Sequence, residues 1–363
     1  MQILEPVKFR NLELRNRLVW LPAVTCMADE IGFVTDELIE RHVARAKGGF
    51  GLIDVEACGV LDRKSPHLLR ICDDKFIPGL KEMTDAVHAE GCKMTLQLIH
   101  YVKQSVRTGW KQAIEDLSYE EIDEIKKQFV DSTIRARKAG FDGVELHVAH
   151  GYTLSSFISL LNKRTDKYGR NTEGRCRIVT EIMDDIRKEV GYDYCVGCRI
   201  SGEEFVMGGN TLKQTTEIAK IFAQASMDFI SVDGPWYTGY SGSRCMATAN
   251  LPYGCHVYLS RGIKNALREI NSDIPVIVSG KVKDLQHGEE IFQAGDADLI
   301  GVCRPALADP DWIKKQVEGR EKEMIKCVYC NGCLERDQRH EKVNCVIADK
   351  IAERKAAQQA QQN

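Results

Sequence analysis

Residues 118–147 read SYEEIDEIKKQFVDSTIRARKAGFDGVELH. Over 118–138 the apolar side chains recur at helical spacing, whereas 141–147, with Phe141, Val144 and Leu146, is a piece of strand length. The same unit, an amphipathic helix feeding a short strand, repeats along the chain. Strands are expected at 17–23, 51–56, 93–99, 141–147, 194–200, 228–232, 274–279 and 298–302. Helical patterns lie at 36–47, 75–90, 118–138, 173–189, 212–225, 260–270 and 285–294. Eight strands alternating with helices are what a (β/α)8 TIM barrel requires. An open doubly wound sheet would more often carry a glycine-rich phosphate turn after its first strand, and no G-x-G-x-x-G occurs in the chain.

The 363 residues include 50 basic and 53 acidic side chains, so a net charge of -3 gives no general attraction to nucleic acid or other polyanions. The opening stretch MQILEPVKFRNLELRNRL alternates charge with short apolar pieces and supplies no apolar segment for a secretory signal. No run approaches the roughly 18 apolar residues of a membrane span. A cytoplasmic protein without a membrane partner is therefore expected. Thiols are kept reduced there, so the 14 cysteines need a reason other than disulfides. Residues 1–320 are expected to form the barrel. Residues 321–363 are expected to be a short cysteine-bearing extension whose polar end, 348–363, is a solvated helix or a frayed terminus.

A barrel of this kind builds its site at the carboxyl ends of the strands and in the loops that follow. Gln97, His100, His147, His150, Arg199, Trp236, Gly280, Lys281 and Arg304 all fall there. The sharpest stretch is 144–175, VELHVAHGYTLSSFISLLNKRTDKYGRNTEGR. Two histidines three apart can donate hydrogen bonds to one carbonyl oxygen, and the nearby phenol of Tyr152 can deliver a proton. Taken singly, the histidines are as well read as structural caps of a strand; the lesser alternative for the tyrosine is an anchor of its loop. A second cluster, Cys327, Cys330, Cys333 and Cys345, has the spacing C-x2-C-x2-C-x11-C. Four soft ligands suit an iron–sulfur cluster or zinc, and spacing alone does not choose between them.

The run H-x-A-H-G-Y followed by F-x-S-x-x-N-x-R-x-D-x-Y-G resembles the signature of the old yellow enzyme family of FMN-dependent ene reductases. LRNRLVWLPA, GLIDVEA, LQLIH, CRIS, PVIVSGKV and ADLIGVCRPALADPDW resemble further barrel strands of that family, in order, to about residue 320. The resemblance implies that Pro22, Ala23 and Ala57 line the flavin, that Gln97 bonds its pyrimidine edge and that Arg199 stabilises its anionic reduced ring. Gly280, Lys281, Cys303 and Arg304 would hold the FMN phosphate, in keeping with the usual phosphate site after strands 7 and 8 of such barrels. His147 and His150 would polarise the carbonyl of an unsaturated substrate, hydride would pass from flavin N5 to its β carbon, and Tyr152 would protonate the α carbon. The four cysteines are similar to those that carry a 4Fe–4S cluster in the 2,4-dienoyl-CoA reductase branch. Electrons would come from NADH or NADPH, or from a reductase or ferredoxin through the cluster. An anaerobic host and a homo-oligomer are expected. An electron-transfer subunit and an amine dehydrogenase-like oxidoreductase are the alternatives, the second disfavoured by Val24 where some relatives carry a cysteine. Tyr101, Val102 and Lys103 replace the usual glycine and arginine after the third strand. Trp236, Tyr237 and Tyr240 are candidates for a substrate wall, and whether His256 enters the site is open.

Overall fold

A computed structural model describes residues 1–63, 65–102, 113–234 and 246–362. Two short strands, β1 (Val7–Phe9) and β2 (Leu12–Leu14), form an antiparallel hairpin. Eight strands follow: β3 (Leu18–Trp20), β4 (Leu52–Gly59), β5 (Lys93–Ile99), β6 (Gly143–Val148), β7 (Cys195–Ser201), β8 (Ile230–Asp233), β9 (Val276–Val278) and β10 (Leu299–Val302). They pair in parallel in chain order, and β10 closes on β3. This is the (β/α)8 barrel expected from the alternation of elements.

Side chains two apart on a strand point the same way, and the inward rows change character from one end of the barrel to the other. Leu52, Cys195, Phe229, Ile277 and Leu299 form one buried cluster with Leu12 and Leu14 of the hairpin, which plugs the amino end. A Cβ on Gly197 would stand 2.4 Å from the Phe229 ring, so glycine makes room for that plug. Further along, the same rows become polar: Asp54 on β4, Glu145 and His147 on β6, Arg199 on β7, Ser231 and Asp233 on β8. The registers Gln97↔Glu145 and His147↔Arg199 bring these groups side by side.

The helices begin at residues suited to the job. Ser118 caps the helix Tyr119–Lys138 reciprocally with Glu121, and Ile122, Ile125, Phe129 and Ala136 form its buried face. Asn171 caps Thr172–Val190 and Thr35 caps Asp36–Lys47. The strand 93–99 and the helix 36–47 lie where the sequence put them, and most other bounds shift by a few residues. The strand expected over 17–23 is shorter, because ladder pairing ends just before Pro22, which has no N–H to donate. The short helices Thr153–Ile158, Arg304–Ala308, Trp312–Val317 and Gly332–Gln338 were not expected.

The chain after the barrel returns across its carboxyl end. Val343 donates its N–H to Thr25 O at 2.8 Å, and buried Arg41 bonds Val343 O at 2.8 Å and the Asn344 side chain. The polar tail is a helix, Val346–Gln362, exposed over 352–360. Among the described residues no helix is long and apolar enough to cross a membrane. Lys103, Trp236, Tyr237 and Tyr240 lie outside the described residues.

Candidate active site

A cavity of about 460 Å³ opens at the carboxyl end of the barrel. Pro22, Ala23, Ala57, Gln97, His147, His150, Tyr152, Arg199, Gly280, Lys281, Cys303 and Arg304 all line it, as do Val24, Tyr101, Asp233 and His256. His100 does not. Its position has the opposite parity to Gln97 and Ile99, so the ring turns outward to Thr153 Oγ1 at 2.9 Å and lies against Phe129. Burial pushes its pKa down to about 4, which marks a neutral structural histidine.

The floor of the cavity is a connected polar layer. One oxygen of the Asp233 carboxylate takes both the Arg199 guanidinium and His150 Nε2, the latter at 3.1 Å. Its second oxygen accepts from Ser279 Oγ and from Gly234 N–H, each at 2.8 Å. Burial opposes the charge of Asp233, but Arg199 and then His150 outweigh it and hold the carboxyl well below the usual range. Gln97 donates to Glu145 at 2.6 Å, and Asp54 accepts from Thr95 Oγ1 at 2.9 Å. Asp54 Oδ2 and Glu145 Oε2 are both buried without any other partner. Burial raises both carboxyls; Glu145 raises Asp54 further, while Arg199 favours the Glu145 charge. One proton shared between them, carried by Asp54, satisfies the pair.

This pair gives a testable expectation. An amide at Asp54→Asn can donate where the shared proton does, so stability should stay within about 1 kcal/mol of the parent, whereas Asp54→Ala should lose about 1–3 kcal/mol. The folded protein holds the Asp54 proton more tightly than the unfolded chain does. Parent stability must therefore fall as pH rises from the ordinary carboxylate range toward the raised value. Urea melts across that interval should show a flatter profile for Asp54→Asn; an equal slope in both proteins rules out the shared proton.

His147 and His150 leave β6 through a tight turn, with His150 at φ 61° and Gly151 at φ 81°. The two imidazoles stand 5.0 Å apart between centroids at 87°, and Tyr152 stands 5.1 Å from His147. His147 is buried and its Nδ1 has no partner. Burial, with His150 and Arg199 adding to it, pushes its pKa well below the ordinary value, so the ring is neutral. Tyr152 packs against the cluster of Ala57, Leu68 and Ile99. The motif after the tyrosine is scaffold: Asn162 Nδ2 bonds Phe157 O and Tyr168 O, each at 2.8 Å, and Arg164 ties down Ile114 O and Leu117 O.

The other side of the cavity carries the cations. Gly280 has φ 108°, and a Cβ there would stand 2.6 Å from His256 Cβ, so only glycine lets the chain pass. Lys281 Nζ bonds Thr248 O at 3.1 Å and Ala249 O at 3.2 Å, and Arg304 bonds Ala247 O at 2.6 Å. Burial pushes the Cys303 thiol up to about 12, so it stays neutral and its N–H is what it can offer an anion. His256 is buried, its Nδ1 has no partner, and burial lowers its pKa. Two unpartnered imidazole nitrogens, a buried guanidinium and a pair of cations around one open cavity fit a planar, hydrogen-bonding cofactor with an anionic tail.

Cys327, Cys330, Cys333 and Cys345 line a second, narrow cavity together with Arg304, Leu307 and Asn331. Cys333, Arg304 and Leu307 line both cavities and so form the wall between them. The Cys327 sulfur already accepts the Tyr329 N–H at 3.4 Å. Among the described residues no group of three His, Cys, Asp or Glu side chains stands close enough to hold a single ion. A cage of several iron and sulfur atoms spreads its thiolates more widely than one zinc does, and four cysteines around one cavity fit such a group.

Sequence reasoning missed Asp54, Glu145 and Asp233, which sit in the motifs I-D-V-E, V-E-L-H and S-V-D. The signal was there: each is a carboxylate at the inward parity of an apolar strand.

Residues 2–323 match the model of the NADH:flavin oxidoreductase / NADH oxidase family. The chain is 38% identical over 346 residues to an NADH oxidase of Thermoanaerobacter brockii, covering 89% of this chain and 52% of that protein. It is 31% identical over 393 residues to a cinnamate reductase of Clostridium sporogenes, covering 94% of this chain and 57% of that protein. A solved structure of 2-naphthoyl-CoA reductase with 2-naphthoyl-CoA superposes with a TM-score of 0.86 at 27% identity, over 95% of this chain and 56% of that one. The chain thus spans about half the length of these relatives.

Proposed function

This chain belongs to the NADH:flavin oxidoreductase / NADH oxidase family, and on that premise we propose that it is an FMN-dependent ene reductase acting on α,β-unsaturated carbonyl compounds or enoyl thioesters. The observation that carries the reading is the grouping of neutral, buried His147 with His150 and Tyr152 over a floor of Gln97 and Arg199. Cinnamate reductase and 2-naphthoyl-CoA reductase, both named for conjugated acyl substrates, support it.

Pro22, Ala23 and Ala57 would flank the flavin ring, Gln97 would bond its pyrimidine edge and Arg199 would face its N1 and O2. Cys303 N–H, Gly280, Lys281 and Arg304 would receive the phosphate, for which a guanidinium is well suited. Bound there, FMN would supply a hydride from N5 to the β carbon of the substrate. His147 and His150 would donate to the carbonyl oxygen: neutral His147 with its one N–H, in the tautomer that turns it to the cavity, and His150, whose Nε2–H goes to Asp233, from Nδ1 of a protonated ring. Asp233 orients His150 through its Nε2. Tyr152 would deliver the proton to the α carbon.

Residues 1–320 would be the flavin barrel and 321–363 the extension, with Cys327, Cys330, Cys333 and Cys345 ligating a 4Fe–4S cluster that supplies one-electron steps. Either NADH or NADPH in the flavin cavity, or a reductase or ferredoxin working through the cluster, would bring the electrons. The wall that Cys333 and Arg304 share between the two cavities also favours a second reading, an electron-transfer flavo-iron–sulfur subunit. Val24 lines the cavity where an amine dehydrogenase-like reading would want a cysteine.

Protein purified without oxygen should carry stoichiometric FMN, with about four iron and four sulfide per chain. Cys327→Ala should lose the iron. Colourless protein without flavin contradicts the function; flavin with zinc in place of iron contradicts the cluster alone.

A further inference from the structure

The loop that carries the first three cysteines does more than place sulfur. Tyr329, between Cys327 and Cys330, is only 6% exposed and turns away from the cysteines toward the cation side of the large cavity, which it lines. Lys281 Nζ lies 4.6 Å from its ring centroid and Arg304 Cζ lies 4.8 Å from it. Its hydroxyl reaches Val282 O at 3.4 Å, and Tyr253 meets its ring edge-on at 5.9 Å. Two residues on, Asn331 Oδ1 accepts from Arg304 Nη1 at 2.5 Å. Both residues occupy the left-handed region, Tyr329 at φ 57° and Asn331 at φ 60°. That conformation is costly for a residue with a side chain, tyrosine above all.

Resting on the assignment of Lys281 and Arg304 to the FMN phosphate, we propose that the cysteine loop is itself part of the phosphate site. Tyr329 holds the two cations on its ring and Asn331 aims the arginine, so that seating the 4Fe–4S cluster and binding FMN strengthen each other. The physical reasoning is local. Lys281 and Arg304 repel one another, and the ring's negative face offsets that repulsion before any phosphate arrives. Asn331 fixes one arm of the guanidinium, leaving less side-chain freedom to lose on binding. These contacts exist only while the loop keeps its two left-handed residues, and ligation of Cys327, Cys330 and Cys333 pins that conformation. A phosphate that needs the clamp and a cluster that needs the loop then stabilise the same state, and the effect must be reciprocal.

The test uses the full chain, prepared without oxygen and stripped of flavin, with its cluster either retained or removed by chelator and oxidant. FMN and riboflavin are titrated into each form and followed by quenching of flavin fluorescence. Removing the cluster should weaken FMN by about 10- to 100-fold, as one or two clamp contacts are lost. Riboflavin, which has no phosphate, should change by no more than about threefold. With the cluster in place, Tyr329→Leu should reproduce the FMN defect and Tyr329→Phe, which keeps the ring, should not. In the other direction, FMN should slow the loss of iron to chelator, and riboflavin should not. FMN affinity indifferent to both the cluster and Tyr329→Leu overturns the proposal while leaving the function intact. Equal losses for FMN and riboflavin also overturn it, since they mark collapse of the whole cavity. A protein that binds no FMN in any form overturns the function and this proposal together.

Discussion

The Tyr152→Phe protein is expected to accept electrons into its flavin at the parent rate and to pass them to an enone about 10² to 10⁴ times more slowly, the usual worth of a positioned general acid. The substitution isolates the proton. Tyr152 packs its ring against Ala57, Leu68 and Ile99 and lies 5.1 Å from the His147 ring. Phenylalanine keeps that packing, so the cavity's shape and the places of His147 and His150 in it persist. What disappears is the O–H, the proposed source of the proton. Anaerobic rapid mixing separates the two half-reactions, and a phenylalanine variant that reduces enones at full speed removes Tyr152 as the acid.

Arg199→Leu is expected to have the largest effect on the protein itself, about 3–5 kcal/mol of lost stability, because it leaves a buried carboxylate without its cation. Arg199 and Asp233 are only 5% and 8% exposed, and Asp233 must keep its charge to hold His150. A lysine restores the charge without the fork that reaches Ser231 Oγ at 3.0 Å as well as Asp233, so Arg199→Lys should recover only part. Pairing the leucine with Asp233→Asn should also recover part of the loss, since the stranded charge is gone. The same change should lower the flavin's reduction potential, by about 30 mV for each 1.4 kcal/mol withdrawn from the reduced anion. Denaturant melts and a potential titration check both; a stability loss that Asp233→Asn does not relieve contradicts the buried-pair explanation.

The repeating helix and strand units made the barrel legible because several of its strands, buried on both sides, are short apolar runs, as in β3, β9 and β10. The hairpin Val7–Phe9 with Leu12–Leu14 was not legible: three-residue strands with a charge at each centre leave no such run. Within the site, the H-x-A-H-G-Y stretch and the arginine after β10 could be read from local pattern. Asp54 and Glu145 could each be suspected from its inward parity, but not their pairing, because only the fold shows which strands bring two such carboxylates together. His100 misled for the converse reason: it follows a strand directly, yet its parity turns it away from the cavity that Gln97 faces. Tyr329 is hidden among the cysteines, and its place between Lys281 and Arg304 depends on a left-handed turn that the sequence does not announce.

The central claim is that electrons held on the bound flavin pass to a conjugated C=C bond. It is tested most directly by reducing the purified protein with dithionite in the absence of oxygen, removing the excess, and mixing it with a cinnamate-type acid, a cyclic enone and an aryl or enoyl thioester. At least one of these is predicted to restore the oxidised flavin spectrum within the mixing experiment and to yield the saturated product in an amount equal to the flavin present. Flavin that stays reduced before every conjugated acceptor, yet is promptly reoxidised by an electron-accepting protein, would contradict the reductase and leave the electron-transfer subunit in its place.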